Sequence, residues 1–247
     1  MNTVIVVPCY NEALRLKTAD FLASARACPD ISFLLVDDGS SDATWSVLER
    51  LRDEGGALFH ILRKQPNGGK AEAVRDGMNY ALQHLHPDMV GFWDADLATP
   101  LDAIADLRCV LLRNPAIDMV FGARVQLLGR EVERRPIRHY LGRIFATVVS
   151  TMLRLPIYDT QCGAKIFRVT PQLTQVLADP FGSKWVFDVE LIARFIRLNH
   201  RNPKTVAGRI YEFPLNVWKD VAGSKVRSAD FLKAFRDVLR IYRTYLM

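Results

Sequence analysis

The chain has 247 residues, 49% of them hydrophobic, which is enough for one large domain with a continuous core. The 33 Lys and Arg residues and 27 Asp and Glu residues give a formal net charge of +6, a modest excess whose placement matters more than its size. No apolar run approaches the roughly 18 residues that span a bilayer, and the N-terminus lacks the features of a signal peptide. The four cysteines show no zinc-ligand spacing and are typical of a reducing compartment.

The first hundred residues alternate strands and helices. Continuous apolar runs predict buried strands at residues 3–8, 32–36, 57–62 and 89–93. The intervening segments predict helices at residues 12–27 and 70–85, and another around Trp45, Leu48 and Leu51. This alternation predicts an α/β fold with a mostly parallel, doubly wound sheet and helices on both faces.

After Pro100 we expect a helix at residues 101–112, a strand at 118–122 and two amphipathic helices. The apolar positions of the two amphipathic helices are Ile137, Leu141, Ile144, Phe145, Val148, Met152 and Leu155, and then Phe231, Phe235, Val238, Tyr242 and Tyr245. Basic residues crowd both regions, at 124–154 and 219–243. We expect both helices to bind an anionic membrane surface; the alternative is that they pack on the core.

Polar motifs follow the predicted strands at the points where the strands end. They are PCYNE after the first strand, VDDGSSD after the second and WDADLATP after the fourth. In parallel α/β sheets ligands bind beyond the carboxyl ends of the strands, so these motifs predict a binding site at that edge.

The Asp94-Ala95-Asp96 motif is the sharpest of these signals. Two carboxylates one residue apart are hard oxygen ligands that suit Mg²⁺ or Mn²⁺, with substrate phosphates completing the coordination. The alternative is that Asp96 caps the helix predicted after Pro100. We favour the metal–phosphate interpretation.

The residues Asp37 to Asp42 and the turn Gly68-Gly69-Lys70 are the next candidates. Carboxylates in the first segment can accept hydrogen bonds from a nucleobase or a ribose, although Ser41 or Asp42 is also expected to cap the following helix. The turn is not a phosphate-binding Walker motif. Lys70 is still a candidate for pairing with phosphate, and the alternative is that it is a solvated surface lysine.

Several functions are excluded by missing motifs. The sequence has no GxGxxG after the first strand, no HExxH and no GxSxG, which argues against a dinucleotide enzyme, a zinc protease and a serine hydrolase. It has no recognised DNA-binding signature, so no nucleic-acid partner is expected.

Taken in order and spacing, VPCYNE, VDDGSSD, NGGKAEAVRDGM and DADLATP resemble the GT-A fold glycosyltransferases of family 2. The later segments DTQCGAK, WVFDVEL and WKDVAGSK resemble the branch of dolichyl-phosphate β-glucosyltransferases and polyprenyl-phosphate sugar synthases. The resemblance covers nearly the whole chain. It implies a GT-A sheet with additional amphipathic C-terminal helices, in which residues 1–125 bind the nucleotide sugar and residues 126–247 bind the acceptor.

The resemblance also implies roles for individual residues. Asp94 and Asp96 would hold the metal, with Asp96 as the main ligand, although Ala98 stands where related mannosyl enzymes carry a Gln. The residues implied to be catalytic are Asp96, Arg124, Asp188 and Lys225. The residues implied to bind substrate are Pro8, Tyr10, Glu12, Val36, Asp38, Lys70, Asp94, Ala95, Asp96, Arg124, Gln161, Lys219 and Lys225.

The implied reaction transfers a hexose, with UDP-glucose as the expected donor, to a polyprenyl or dolichyl phosphate with inversion. An alcohol acceptor would require a general base, for which Asp159, Asp188 and Glu190 are candidates. The alternatives are a family 2 enzyme acting on a glycan hydroxyl, a non-catalytic nucleotide-sugar-binding protein and a nucleotidyltransferase. Membrane-bound relatives often carry transmembrane helices, and here we expect a cytoplasmic protein, peripheral at the cytoplasmic face of a membrane.

Overall fold

The computed structural model describes residues 1–133, 136–220 and 228–247, and the side chains within them except those of residues 136–139 and 228–232. The strands are β1 Thr3–Cys9, β2 Ile31–Asp38, β3 Phe59–Lys64, β4 Met89–Trp93, β5 Met119–Ala123, β6 Glu131–Glu133, β7 Ala164–Arg168, β8 Ile210–Pro214 and β9 Val217–Lys219. The helices are α1 Thr18–Ala27, α2 Thr44–Gly55, α3 Lys70–His84, α4 Ala103–Arg113, α5 Pro136–Leu153, α6 Pro171–Ala178, α7 Phe187–Leu198, α8 Pro203–Ala207 and α9 Ser228–Ile241.

Seven of these strands form one sheet in the order β3-β2-β1-β4-β7-β5-β8. Strands β1 to β4 are mutually parallel, β8 is parallel to β5, and β7 runs antiparallel between β4 and β5. Strands β6 and β9 form a separate parallel pair. The predicted α/β fold with a mostly parallel sheet is therefore confirmed, and strands from both halves of the chain contribute to the sheet.

Two apolar layers cover the sheet because its central strands are apolar on both sides. In β1, Val4 and Val6 face a cluster that includes residues of α3, α5, α6 and α7. Ile5 and Val7 face the opposite cluster, which includes residues of α1, α2 and α4. Successive side chains of a strand alternate between faces, so a continuous β-branched run buries both.

The prediction of a helix from residue 12 is wrong, because α1 begins at Thr18. The Glu12 N–H donates to the Thr44 hydroxyl, and the Glu12 carbonyl accepts from the N–H groups of Arg15 and Leu16. Asn11, just before this segment, has a φ of 54°, in the left-handed region. The segment therefore forms a turn fastened to the start of α2.

Smaller differences separate the other elements from their predicted bounds. Strand β3 begins at Phe59 because residues 56–58 form a 3₁₀ turn, which Gly56 enters with a φ of 61°. Asp96 does not cap a helix: α4 begins only at Ala103, and Asp96 instead accepts the Ala98 N–H. Asp42 accepts the Thr44 N–H at the start of α2, whose cap position is Ala43, so the predicted capping is only approximately right.

Helix α5 carries two apolar faces. Its buried face comprises Phe145, Val149 and Leu153. Its second face, called here the α5 apolar face, comprises Tyr140, Leu141, Ile144 and Val148, which are 69%, 41%, 58% and 39% exposed. The described part of the predicted apolar stripe is thus divided between the core and the surface, while the side chain of Ile137 lies outside the described ones.

Helix α9 packs on the core with the π-helical turn Tyr242–Leu246 that follows it. Val238 and Ile241 are buried, and Phe235 and Tyr245 pack against the same cluster. The core-packing alternative therefore holds for this segment, while the side chain of Phe231 lies outside the described ones. Among the described residues, we find no helix with both the length and the apolarity to span a membrane.

Candidate active site

Asp94 and Asp96 lie immediately after β4, near the middle of the sheet and at the carboxyl ends of its parallel strands. The ammonium of Lys70, at the first position of α3, contacts Asp94 Oδ1. Burial and, next, the charge of Asp94 raise the pKa of Asp96. Two carboxylates held this close repel one another, so a cation beside them relieves the repulsion.

A glycine immediately before β7 supports Asp94. The Asp94 N–H donates to the Gly163 carbonyl at 3.1 Å. A Cβ placed on Gly163 would collide with the Asp94 carboxylate. A side chain at this position would therefore force the Asp94 carboxylate to move. This contact explains why a glycine stands in the segment DTQCGAK.

Asp38 organises the turn before α3. Its Oδ1 accepts the Gly68 N–H at 2.9 Å and its Oδ2 accepts the Gly69 N–H at 2.7 Å. Gly69 has a φ of 89°, a conformation that favours glycine. Asp38 thereby positions the turn that presents Lys70 to Asp94. Its predicted contact with a base or ribose stays a prediction.

The remaining predicted donor residues lie along the ends of β1 and β2. Tyr10 is 40% exposed and Pro8 is half-buried, so both are available at the edge. Val36 is buried in the core beside Gly77 of α3. Glu12 is 8% exposed, and its carboxylate takes two hydrogen bonds from Arg15. Their roles in nucleotide binding stay predictions.

Arg124 follows β5 and is fixed by Asp159. Its Nε donates to Asp159 Oδ2 at 2.6 Å and its Nη2 donates to Oδ1 at 2.7 Å, a bidentate pair. The Trp218 ring lies 5.3 Å from the guanidinium carbon. Burial opposes the positive charge of Arg124, but nearby carboxylates, Asp159 foremost and Asp94 to a smaller extent, raise the pKa of Arg124. Arg124 is thus a permanent cation within electrostatic reach of Asp94.

A second carboxylate, Glu212 of β8, holds Asp159 in place. Glu212 accepts the backbone N–H groups of Tyr158 and Asp159, each at 2.7 Å. No motif indicated Glu212, because β8, which carries it, lies more than fifty residues after Asp159 in the sequence. Trp218 could have been found within WKDVAGSK, since an aromatic ring beside a predicted cation is a common arrangement.

A small pocket opens beside Arg124, between α5 and the segment that precedes β7. Its lining residues are Arg124, Gly142, Arg143, Phe145, Ala146, Tyr158, Asp159, Thr160 and Gln161. The Arg143 guanidinium carbon lies 3.8 Å from the centre of the Tyr158 ring, and its Nη1 is buried without a hydrogen-bond partner. A buried, unpaired guanidinium nitrogen is costly, so it indicates a position for an anion.

Of the two predicted loop lysines, Lys219 and Lys225, Lys219 lies among the described residues. Lys225 lies outside the described residues. The Lys219 N–H donates to the Ala98 carbonyl, which ties β9 to the loop after Asp96, and the Lys219 ammonium lies 3.6 Å from Glu131. Lys219 therefore stands at the rim of the site.

All three candidate general bases are ion-paired. Asp159 pairs with Arg124 as described above. Asp188 pairs with Lys165 at 2.6 Å, and Glu190 pairs with Arg194 at 2.7 Å. Glu190 also accepts the Gly182 and Ser183 N–H groups, as well as the Tyr245 hydroxyl. Its hydrogen bonds make Glu190 an anchor for the segment before α7.

The Asp94 and Asp96 carboxylates fit a divalent cation that is also bound by substrate. Within the described ranges, three or more His, Cys, Asp or Glu side chains do not converge on a metal position. Mg²⁺ is usually held by only one or two carboxylates together with substrate phosphates, so this pair is sufficient.

The fold and the paired carboxylates at the end of β4 define a GT-A type glycosyltransferase. A family model, Glycosyl transferase family 2, matches residues 4–175. Dolichyl-phosphate beta-glucosyltransferase from Saccharomyces cerevisiae is 29% identical over 265 residues, covering 98% of this chain and 75% of that protein. The protein of the same name from Drosophila melanogaster is 31% identical over 260 residues, with the same two shares.

Solved structures support the same fold. Glucosyl-3-phosphoglycerate synthase from Mycobacterium tuberculosis, in complex with Mn²⁺, uridine diphosphate and glucosyl-3-phosphoglycerate, has a TM-score of 0.66 and 18% identity, covering 99% of this chain and 80% of that one. The chain belongs to glycosyltransferase family 2, and it is an enzyme of the glycosyltransferase class.

Proposed function

We propose that the enzyme transfers a hexose, glucose foremost, from a nucleoside diphosphate sugar to a polyprenyl phosphate. The observation that carries this proposal is a pocket lined by Arg124 and Arg143, whose wall includes part of α5, the helix that also carries an exposed apolar face. A phosphate on a long hydrocarbon chain matches both features at once. The names of the relatives from yeast and fly support the same acceptor and the same sugar.

The donor half of the proposal rests on residues 1–125. Asp94 and Asp96 would hold a Mg²⁺ or Mn²⁺ ion, which supplies neutralisation of the negative charge that develops on the departing diphosphate. Lys70 and Arg124 bring two further positive charges to the same region. UDP-glucose is the expected donor, and Pro8, Tyr10, Glu12, Val36 and Asp38 remain the proposed lining of the nucleotide.

The acceptor half rests on the pocket between α5 and the segment before β7. The free Nη1 of Arg143 and the guanidinium of Arg124 offer positive charge to the acceptor phosphate, and Gln161 offers an amide. Gly142 and Arg143 line the pocket, and their neighbours Leu141 and Ile144 belong to the α5 apolar face. The prenyl chain would leave the pocket along that face.

The same face supports a peripheral position on a membrane. Leu127 and Leu128, which precede α5 in the sequence, are exposed as well. Apolar residues beside arginines are typical of segments that lie in the interface of an anionic bilayer. We propose that this surface binds the membrane that carries the acceptor.

Chemically, the acceptor attacks the anomeric carbon from the side opposite the diphosphate. A phosphate oxygen of the acceptor forms the new bond, the anomeric carbon–oxygen bond to the diphosphate breaks, and its electron pair leaves with the nucleotide. This displacement inverts the anomeric configuration. Arg124 would stabilise charge on both phosphate groups because it lines the acceptor pocket and lies within electrostatic reach of Asp94.

A two-phase assay tests the proposal. The enzyme is incubated with labelled UDP-glucose, Mg²⁺ or Mn²⁺ and a short polyprenyl phosphate, and the products are extracted into organic solvent. We expect label in the organic phase, and its loss when the metal is chelated. Absence of lipid product with a full set of nucleotide hexoses would overturn the proposal, and a water-soluble glycan product would indicate a hydroxyl acceptor.

A further inference from the structure

A buried lysine of β7 has no role in the proposed reaction. Lys165 of β7 is 1% exposed, and its ammonium contacts the Cys162 carbonyl. The same ammonium lies 5.2 Å and 5.3 Å from the ring centres of Phe92 and Phe121. An ammonium in such surroundings has lost its water, so it requires a negative partner.

Asp188, in the first turn of α7, is that partner. Its Oδ1 lies 2.6 Å from Lys165 Nζ, and only 8% of its side chain is exposed. Asp188 Oδ1 accepts no hydrogen bond of good geometry from the described residues, so the contact is chiefly an attraction between charges. Removing either partner alone would leave an uncompensated charge in the interior.

Geometry links the pair to the donor site through the segment before β7. The Lys165 ammonium contacts the Cys162 carbonyl, and the carbonyl of the next residue, Gly163, accepts the Asp94 N–H at 3.1 Å. Loss of either charge of the pair would therefore disturb the segment that supports Asp94.

We infer that Asp188 is a positioning residue, held as the counter-ion of Lys165, and that it takes no proton from the acceptor. This inference rests on the proposed function and narrows its substrate class to acceptors that arrive already ionised. A phosphate attacks with an oxygen lone pair, so bond formation and departure of the diphosphate balance without any proton transfer. An alcohol, by contrast, must give up a proton to a base.

The other candidate bases are occupied in a comparable way. Asp159 is fixed by the bidentate pair with Arg124, and Glu190 pairs with Arg194 while holding two backbone N–H groups. Each carboxylate is a structural acceptor for groups that would lose a partner if it were protonated.

A double-mutant cycle tests the inference. Asp188→Asn and Lys165→Met are made singly and together, and the KM of each substrate and kcat are measured with polyprenyl phosphate. We expect each single variant to lose about 100-fold in kcat/KM, with a raised KM for the nucleotide sugar and little change in the KM of the acceptor. The double variant removes both charges and should recover to within about tenfold of the parent enzyme.

The decisive contrary result is a double variant that is folded, binds UDP with Mn²⁺ and is still as inactive as Asp188→Asn. A carboxylate that removes a proton cannot be rescued by deleting Lys165, so that result would make Asp188 a base. Asp118→Asn is the matched control, since Asp118 pairs with Arg209 at the opposite end of the sheet. It should lower thermal stability without changing the KM of the nucleotide sugar.

A second measurement needs no variant. The parent enzyme is offered a polyprenyl phosphate and the polyprenol of the same chain length, and we expect sugar transfer only to the phosphate. Transfer to the alcohol at a comparable rate would overturn the inference while leaving a lipid acceptor in place. Failure with both acceptors would instead contradict the proposed function.

Discussion

Arg124 and Asp159 are joined by two hydrogen bonds, from Nε to Oδ2 at 2.6 Å and from Nη2 to Oδ1 at 2.7 Å. The Arg124 N–H adds a third hydrogen bond to the same carboxylate at 3.1 Å. Since Glu212 fixes the backbone of Asp159, the orientation of the guanidinium is determined by β8 as well as β5. The arginine is thus held in one orientation in the wall of the pocket, and a preorganised cation of this kind is what electrostatic catalysis requires.

Replacing this arginine should therefore impair the chemical step. Arg124→Lys retains the charge but cannot make the bidentate pair, and we expect kcat to fall by about 100-fold. Steady-state kinetics at saturating donor and acceptor measure the effect. Arg113→Lys is a suitable control, because Arg113 lies in the last turn of α4 and is exposed. An unchanged kcat in Arg124→Lys would show that Arg124 has no role in the chemical step.

Asp96 should control the binding of metal with nucleotide. Asp96→Asn removes one of the two proposed carboxylate ligands, so calorimetry should show UDP binding in the presence of Mn²⁺ weakened by about 10- to 100-fold. Asp102→Asn, close in sequence but beyond the motif, should bind as the parent does. Equal binding in Asp96→Asn would place the metal elsewhere.

The same site should respond to pH in a defined direction. Burial and Asp94 raise the pKa of Asp96, so its protonated form persists to higher pH than in an ordinary aspartate. Protons then compete with the metal, and Mn²⁺–UDP affinity should fall as pH is lowered through the acidic range. Affinity that stays constant from neutral pH to pH values near the ordinary aspartate pKa of about 4 would contradict this.

Much of this site could be predicted from local patterns, and the remainder depends on distant contacts. Strand β4 and the carboxylates after it follow from an apolar run ending in DAD, which requires no knowledge of the rest of the chain. The turn at Glu12 was mistaken for a helix because its partner, Thr44, lies 32 residues away. The ion pair of the candidate base Asp188 with Lys165 could not be predicted locally, because only the folded chain brings these two side chains together.

Gly163 offers a steric test of the site. Gly163→Ala would push a methyl group into the Asp94 carboxylate, so we expect activity to fall by at least about tenfold, with a smaller loss of stability. Gly208→Ala is the matched control, since the nearest atom to its added Cβ is the Thr205 carbonyl oxygen at 3.9 Å. Activity assays and thermal melts separate the two effects. Full activity in Gly163→Ala would show that the position of Asp94 is not critical.

Arg143 should affect only the acceptor. Arg143→Ala removes the unpaired guanidinium from the pocket, and we expect the KM of polyprenyl phosphate to rise by about tenfold while the KM of UDP-glucose is unchanged. Arg113→Ala, at the end of α4, provides a surface arginine as control. A change confined to the donor KM would assign the pocket to the nucleotide sugar.

The α5 apolar face should determine binding to membranes. Ile144→Asp places a charge on an exposed position, so the free energy of unfolding should change little while binding to an anionic bilayer weakens. Co-sedimentation with vesicles that contain an anionic lipid measures the binding, and activity toward a short, water-dispersed polyprenyl phosphate should be retained. Leu112→Asp is the matched control, because Leu112 is 48% exposed on α4. If Ile144→Asp sediments with the vesicles to the same extent as Leu112→Asp, the α5 apolar face is not the membrane contact.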